Sequence, residues 1–147
     1  MASFVGNFPR QLDERGRFVL PAKLRERISG CVHITRSLAD KCLMLYTEQE
    51  WALLEEQVRD LQTTTNIFAK QFVQVVFGQA WECEVDKQGR IALPDYLLEA
   101  AGMKRDIVLA GANAKMEIWD ADTYNKTIES LDFDKILEGV SQFGLNI

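Results

Sequence analysis

The sequence predicts an α+β fold built from two tandem copies of one small unit, because it repeats itself together with its apolar positions. DERGRFVLPAKL begins at Asp13 and DKQGRIALPDYL begins at Asp86, an offset of 73 residues. At the same offset the two halves also match at Ile34 and Ile107, Leu45 and Ile118, Tyr46 and Trp119, and Trp51 and Tyr124. Apolar residues make up 47% of the 147-residue chain, as in folded domains. One unit alone exposes strand edges and buries little, so we expect the copies to share a core.

The first unit opens with an extended segment around Phe4–Leu12, a tight turn at DERG and a strand at RFVLP. In such a turn the aspartate accepts backbone N–H bonds, and the glycine takes a positive φ without strain. Pro21 suits the first position of a short helix, PAKLRERI, predicted to end near Gly30. The strands CVHITRS and CLMLYT follow, separated by the polar turn LADK. Thr47 and Glu50 then form a capping-box pattern, which predicts mutual bonds with backbone donors where the helix EQEWALLEEQVRDL begins.

The second unit repeats this order with the strands AWECEVD and RIALP, the helix PDYLLEAAG, the strands DIVLAG and KMEIWD, and a helix opened by Asp120. Between the units, TTTNIFAKQFVQVVFG predicts a helix with an apolar stripe. The tail Phe133–Phe143 predicts one more helix.

These elements define the expected domain organisation. We expect the units to occupy residues 7–54 and 83–126, with a linker helix at 63–79 and a helical tail at 132–147. Short strands of both units are expected to meet in a pseudo-twofold, β-barrel-like core with flanking helices.

Composition narrows the class of protein. The three cysteines form no CxxC pair and leave one unpaired, which suits reduced thiols in a cytosol better than a disulfide framework. The single histidine, His33, has no second histidine with which to share a metal, which favours a structural role. No apolar run is long enough to cross a membrane, and the N-terminus lacks a secretory pattern. We therefore expect a cytoplasmic protein with no membrane partner, metal or cofactor.

The sequence gives no support for catalysis. It contains no phosphate-binding glycine loop, no GxSxG and no HExxH. The acidic pair Glu55 and Glu56 lies on a predicted helix, as is typical of a solvated face. We expect neither an enzyme nor a small-molecule substrate.

Charge is distributed unevenly along the chain. The net charge is −5, whereas nucleic-acid-binding domains are usually basic. However, the segment Arg10–Arg27 carries six basic and three acidic residues, and the segment Glu117–Ile147 carries seven acidic and two basic residues. The chain thus has a basic head and an acidic tail.

The two turns carry the candidate functional residues. Pseudo-symmetry is expected to place both turns close together on one face, where a strand-flanked loop could enter a DNA groove. Arginine suits this role because its planar fork matches phosphate oxygens and the O6/N7 edge of guanine. The candidate DNA-binding residues are Arg10, Arg15, Arg17, Lys87 and Arg90. A structural role in the turns is favoured for Asp13, Gly16, Asp86 and Gly89, with both aspartates as ion-pair partners of the arginines four residues later.

The paired turns D-x-x-G-R-(apolar)-x-(apolar)-P, each followed by a short helix and two strands, resemble the MraZ family. So do LYTEQEW, VVFGQAWECEVDKQGR and EIWD, and the resemblance covers essentially the whole chain. It implies two swapped-hairpin domains of the SpoVT/AbrB type in a cytoplasmic, nucleoid-associated repressor of the bacterial division and cell-wall gene cluster. It also implies a ring-shaped homo-oligomer that grips direct repeats in double-stranded promoter DNA, with the family's turn arginines at Arg17 and Arg90.

The sequence carries fewer cations than the family pattern. Gln88 stands in the second turn, Leu98 stands near the end of the second short helix, and Lys70 is the one cation of the linker helix. Fewer phosphate contacts predict weaker nonspecific DNA binding. The main alternative is therefore an oligomeric protein-interaction scaffold with weak or lost DNA binding. A second alternative is an antitoxin-like member of the superfamily, although such antitoxins usually carry one such domain and a disordered tail.

Overall fold

The computed structural model describes residues 3–147, which form eight strands and six helices. The strands are β1 (Asn7–Gln11), β2 (Arg17–Val19), β3 (Cys31–Arg36), β4 (Leu43–Thr47), β5 (Trp81–Glu84), β6 (Arg90–Ala92), β7 (Asp106–Ala112) and β8 (Lys115–Asp120). The helices are α1 (Ala22–Arg25), α2 (Glu48–Arg59), α3 (Ile67–Val76), α4 (Asp95–Ala100), α5 (Ala121–Glu129) and α6 (Phe133–Ser141).

The two units exchange strands, as a swapped-hairpin fold requires. Six strands form one antiparallel sheet in the order β1-β7-β8-β4-β3-β5, and β2 pairs with β6 in a separate two-stranded ribbon. The first strand of each unit pairs with the other unit, β1 with β7 and β5 with β3. At the centre of the sheet β4 pairs with β8. Because the strand order reads the same when the units are interchanged, the predicted α+β tandem fold with pseudo-twofold symmetry is confirmed.

One core lies between the large sheet and the ribbon. Alternate side chains of the sheet point to this core, including Ile34 and Leu45 from the first unit and Leu109 and Ile118 from the second. Six fully buried or nearly fully buried side chains cover them from the ribbon and the short helices: Phe18, Leu20, Leu24, Ile91, Leu93 and Leu97. Both units supply every layer, so neither unit encloses a core without the other.

The opposite face of the large sheet is covered by helices. Here α2 and α3 pack on β3 and β4, with Trp51 of α2 against Tyr46 and Val76. Helix α5 packs on β7 and β8, where Tyr124 meets the edge of Trp119. The ribbon and the helices α2, α3 and α5 therefore lie on opposite sides of the sheet.

His33 packs against an aromatic side chain on the helix-covered face of the sheet. Its ring stacks on Trp51 with the ring centroids 4.8 Å apart and the planes nearly parallel. Among the three cysteines, Cys42 is buried, and Cys31 and Cys83 are partly buried. Burial raises the pKa of Cys42 to about 12 and that of Cys83 to about 11. These thiols are therefore protonated at neutral pH and behave as small apolar side chains.

Two local predictions need correction. The first short helix was expected to end near Gly30, but α1 ends at Arg25, since the following N–H groups of Arg27 and Ile28 bond three residues back. The capping box forms in one direction: Thr47 Oγ1 accepts the N–H of Glu50 at 3.2 Å. No return bond from the Glu50 side chain occurs within residues 3–147. Instead, the neighbouring Glu48 carboxylate accepts the N–H of Cys31 at 3.0 Å.

Candidate nucleic-acid interface

The first turn is organised around one aspartate. Oδ1 of Asp13 accepts the backbone N–H groups of Arg15 and Arg17, both at 2.9 Å. Oδ2 accepts Nε of Arg17 at 2.7 Å, which adds an ion pair. Gly16 closes the turn with a φ of 72°, a conformation that strains any side chain with a Cβ. Asp13 thus fixes both the loop and the orientation of the Arg17 guanidinium.

The second turn repeats this geometry. Oδ1 of Asp86 accepts the N–H groups of Gln88 and Arg90 at 2.9 and 2.8 Å, and Oδ2 accepts Nε of Arg90 at 2.8 Å. Gly89 has a φ of 78°. The aspartate–arginine pairs predicted from the sequence are therefore present in both units.

These hydrogen bonds stabilise the ionised carboxylates. The backbone N–H of Arg17 makes the largest contribution to a lowered pKa of Asp13, and the backbone N–H of Arg90 does the same for Asp86. Each pKa lies below the usual value of 3.8. A carboxyl whose pKa is lower in the folded state than in the unfolded state stabilises the fold. This stabilisation is fully present above the unfolded-state pKa and is lost as the pH falls through the folded-state pKa.

Replacing both aspartates by asparagine, Asp13→Asn with Asp86→Asn, is expected to lower the melting temperature at pH 7. The reason is that asparagine, like a protonated aspartate, carries no charge and cannot form an ion pair with an arginine. The difference from the wild-type protein should shrink as the pH is lowered from 7 to below the ordinary aspartate pKa of about 4, because wild-type Asp13 and Asp86 then become protonated. Melting followed by circular dichroism at each pH measures this difference. A difference that stays constant across this range would contradict the stabilising role of the two carboxylates.

The ribbon brings Arg17 and Arg90 to one exposed face. In the antiparallel register Arg17 lies opposite Ala92, and Arg90 lies opposite Val19. Opposed residues and residues two apart share a face of a strand pair, so all four side chains lie on the side away from the core. The intervening Phe18 and Ile91 are buried.

Both arginines keep hydrogen-bonding capacity on this face. Their side-chain bonds to Asp13 and Asp86 use Nε, and among residues 3–147 the Nη groups have no hydrogen-bond partner. The side chains of Arg17 and Arg90 are 27% and 30% exposed. Each guanidinium is therefore held by one edge, and its other edge is available to a ligand.

The remaining predicted cations are not gathered at one point. Because β2 and β6 run antiparallel, the two turns lie at opposite ends of this three-residue ribbon. Arg15 and Lys87 are exposed within these turns, one at each end. Arg10 is partly buried and donates from Nε to the carbonyl of Val19 at 2.9 Å. Nε1 of Trp81 donates to the carbonyl of Ala92 in the same way. Arg10 and Trp81 therefore both tether the ribbon to the large sheet.

Each turn packs against the short helix of the other unit. Leu98 of α4 lies over Gly16, and the guanidinium of Arg25 in α1 lies so close to Gly89 that a Cβ there would collide with it. Arg25 is a further cation beside the second turn that the sequence did not single out. The 73-residue offset aligns Arg25 with Leu98, but it carries no information on which turn each side chain meets.

The part of the chain that the structure describes gives no support for a metal site or a membrane-spanning helix. Residues 3–147 contain no cluster of histidine, cysteine, aspartate or glutamate able to hold a metal ion. No helix in the same range has the length and apolar character needed to span a membrane.

Comparison with known proteins decides the family. A family model described as "MraZ protein, putative antitoxin-like" matches residues 4–71 and 76–139, which include both turns. The chain belongs to the MraZ family. The two matched segments of the MraZ model fall on the two halves related by the internal repeat.

Relatives in the MraZ family match over nearly their full length. A protein from Heliobacterium modesticaldum is 38% identical over 144 residues, covering 97% of this chain and 99% of the relative. One from Clostridium beijerinckii is 39% identical with the same coverage. One from Limosilactobacillus reuteri is 39% identical over 139 residues, covering 93% and 96%. Each is named "Transcriptional regulator MraZ", a name that describes a regulator and not an enzyme.

Proposed function

We propose that this protein is a sequence-specific, DNA-binding transcriptional repressor that reads promoter repeats through its paired D-x-x-G-R turns. The observation that carries the proposal is the exposed face of the ribbon, where Arg17 and Arg90 are each held by an aspartate and keep one edge free. The names of its relatives support regulation of transcription. Arg15 and Lys87 extend the cationic surface at both ends, and Arg25 adds to it beside the second turn.

The geometry of the ribbon suits a DNA groove. A two-stranded ribbon fits the major groove, and a guanidinium can donate two hydrogen bonds to guanine or to a phosphate. Because the aspartates fix both arginines before DNA arrives, less side-chain freedom is lost on binding. In this proposal Arg17 and Arg90 contact the base edges or the phosphates, and the exposed turn cations contact phosphates.

The net charge of −5 is compatible with this role because the basic segment and the acidic tail lie in different parts of the chain. The basic segment Arg10–Arg27 includes the ribbon strand β2 and helix α1. Helix α5, which begins in the acidic tail, packs on the opposite side of the large sheet. A ring of several copies would present many turns to one DNA and gain avidity. We place this ring in the cytoplasm at the nucleoid, acting on the division and cell-wall gene cluster.

Salt dependence gives a prediction that separates this chain from more basic relatives. In a plot of the logarithm of DNA affinity against the logarithm of salt concentration, this chain should show a shallower slope than its more basic relatives. The slope should be about 0.9 units less steep for each phosphate that this chain leaves without a cationic partner. The residues concerned are Gln88 and Leu98 and the linker helix, whose one cation is Lys70. Anisotropy titrations of both proteins on the same duplex measure the slopes. Equal slopes would contradict the prediction.

Transcription in vitro tests the regulatory part of the proposal. The template is the DNA upstream of the protein's own gene, and the wild-type protein is expected to reduce the transcript in a dose-dependent way. The double variant Arg17→Ala/Arg90→Ala should not reduce it. The matched control Arg59→Ala/Lys126→Ala also removes two positive charges, but from α2 and α5, and should repress like the wild type. If the wild-type protein left the transcript level unchanged, the proposed repressor function would be refuted.

A further inference from the structure

The two turns differ in the side chain that packs against each of them. Leu98 of α4 lies against Gly16 of the first turn, whereas the guanidinium of Arg25 of α1 lies against Gly89 of the second. The 73-residue offset aligns positions 25 and 98, and both side chains are partly buried. The same place beside each turn therefore holds an apolar side chain in one case and a cation in the other.

The charges within the turns differ in the same direction. Residues 13–17 include two acidic and two basic residues, so the first turn has no net charge. Residues 86–90 include one acidic and two basic residues, so the second turn has a net charge of +1. Arg25 adds a further positive charge to the second turn, whereas Leu98 adds none to the first. The second turn is therefore the more favourable place for an anion.

Two cations also lie near the first turn, but both have partners within the chain. Lys104 and Arg105 line a cavity beside Gly16. Nζ of Lys104 lies 3.7 Å from the carboxylate of Asp122, and Nη2 of Arg105 donates to the side chain of Gln11 at 3.4 Å. Because both cations are engaged, they give the first turn little free positive charge.

The guanidinium of Arg25 lies against the second turn without a polar partner. In Arg17 and Arg90 the Nε group donates to an aspartate. Within residues 3–147, by contrast, the side chain of Arg25 forms no hydrogen bond and no ion pair. An arginine can pack its stem and planar face on neighbouring atoms while its N–H groups remain available. The contact with Gly89, the residue before Arg90, therefore places a guanidinium with free donors at the second turn.

We propose that Arg25 contacts a DNA backbone phosphate, and that the first unit contributes it to the turn of the second. The inference rests on the proposed function and adds a contact to it. A phosphate suits this site because a guanidinium with no carboxylate partner binds an anion through charge-assisted hydrogen bonds. Phosphate contacts fix the position of a protein on the duplex and carry no sequence information directly. The two turns therefore hold DNA with unequal strength, despite the pseudo-twofold symmetry of the fold.

The test replaces Arg25 by the residue found at the aligned position of the second unit. Arg25→Leu removes the charge and keeps a side chain beside Gly89, so the melting temperature should stay near the wild-type value. Its affinity for a labelled duplex from upstream of the protein's own gene should fall at least about fivefold. The slope of log affinity against log salt should become about 0.9 units less steep. A scrambled duplex of the same composition should lose affinity by the same factor, as expected for a phosphate contact.

Two further variants separate a phosphate contact from other effects. Arg25→Lys keeps the charge but loses the planar guanidinium, and should keep the wild-type salt slope. Arg59→Leu makes the same substitution at an exposed arginine of α2, on the other side of the large sheet. This matched control should bind with the wild-type affinity and salt slope.

The outcomes distinguish this inference from the proposed function. If the wild-type protein binds the native duplex and Arg25→Leu binds it with the same affinity and salt slope, the phosphate contact is overturned and the proposed function stands. The contact is also overturned if Arg25→Leu weakens binding with an unchanged slope, since Arg25 then acts only by supporting the turn. A loss confined to the native duplex would overturn it in favour of a base contact. If the wild-type protein binds neither duplex at any salt concentration, the proposed function fails and the inference fails with it.

Discussion

Replacing Arg17 and Arg90 by alanine in one chain is expected to weaken binding to the upstream DNA of the protein's own gene by at least about 30-fold. A contacting arginine contributes about 1–3 kcal/mol, and the ribbon presents both arginines on the same face. Fluorescence anisotropy of a labelled duplex at fixed salt concentration measures the change. In an assembly of several copies the effect should be larger, since no copy then offers either arginine to the DNA.

Two further variants separate contact of this cationic surface with DNA from an effect of general charge. Arg15→Ala/Lys87→Ala leaves the bonds of Asp13 and Asp86 to the two ribbon arginines intact, and should weaken DNA binding without lowering the melting temperature. Arg59→Ala/Lys126→Ala should leave the affinity nearly unchanged. If this control weakened binding as much as the ribbon variant, general charge and not the ribbon would account for the affinity.

Phe18→Ala is expected to lower the free energy of unfolding by about 3–5 kcal/mol, a large part of the stability of an ordinary domain. Phe18 is 1% exposed and lies opposite Ile91, which is also buried, in the ribbon that closes the core. The change combines the lost burial of the ring with the cavity left between the ribbon and the sheet. Urea unfolding followed by circular dichroism measures it.

Val19→Ala is the matched control for this change. Val19 follows Phe18 in the same strand but points to solvent, so its replacement should cost about 1 kcal/mol or less. Both proteins should unfold in a single transition, because both units build the same core. Two separate transitions, or equal destabilisation by the two variants, would contradict a shared core.

Local chemistry made the turns predictable from the sequence. An aspartate three residues before a glycine, followed at once by arginine, specified the N–H bonds, the positive φ and the ion pair at Asp13 and again at Asp86. The 73-residue offset and its apolar positions also predicted one core for two units. These features depend on residues close in sequence or on a pattern repeated along it.

Features that depend on distant pairing could not be read in the same way. The exchange of β1 and β5 between the units was implied by the family resemblance and not by any spacing. The antiparallel pairing of β2 with β6, which sets the two turns at opposite ends of a three-residue ribbon, was not encoded by the repeat. The contact of Arg25 with Gly89 follows from the same exchange. Each of these is decided by which strand pairs with which, and a single sequence does not encode that locally.

The measurement that tests the central claim most directly is an anisotropy titration of the wild-type protein at several salt concentrations. It compares a labelled duplex from upstream of its own gene with a scrambled duplex of the same composition. We predict salt-sensitive binding to the native duplex that is about 10³-fold tighter or more, as for specific regulators. Equal affinity for both duplexes at every salt concentration would contradict sequence-specific recognition through the turns, and would favour a protein-interaction scaffold that has kept the fold.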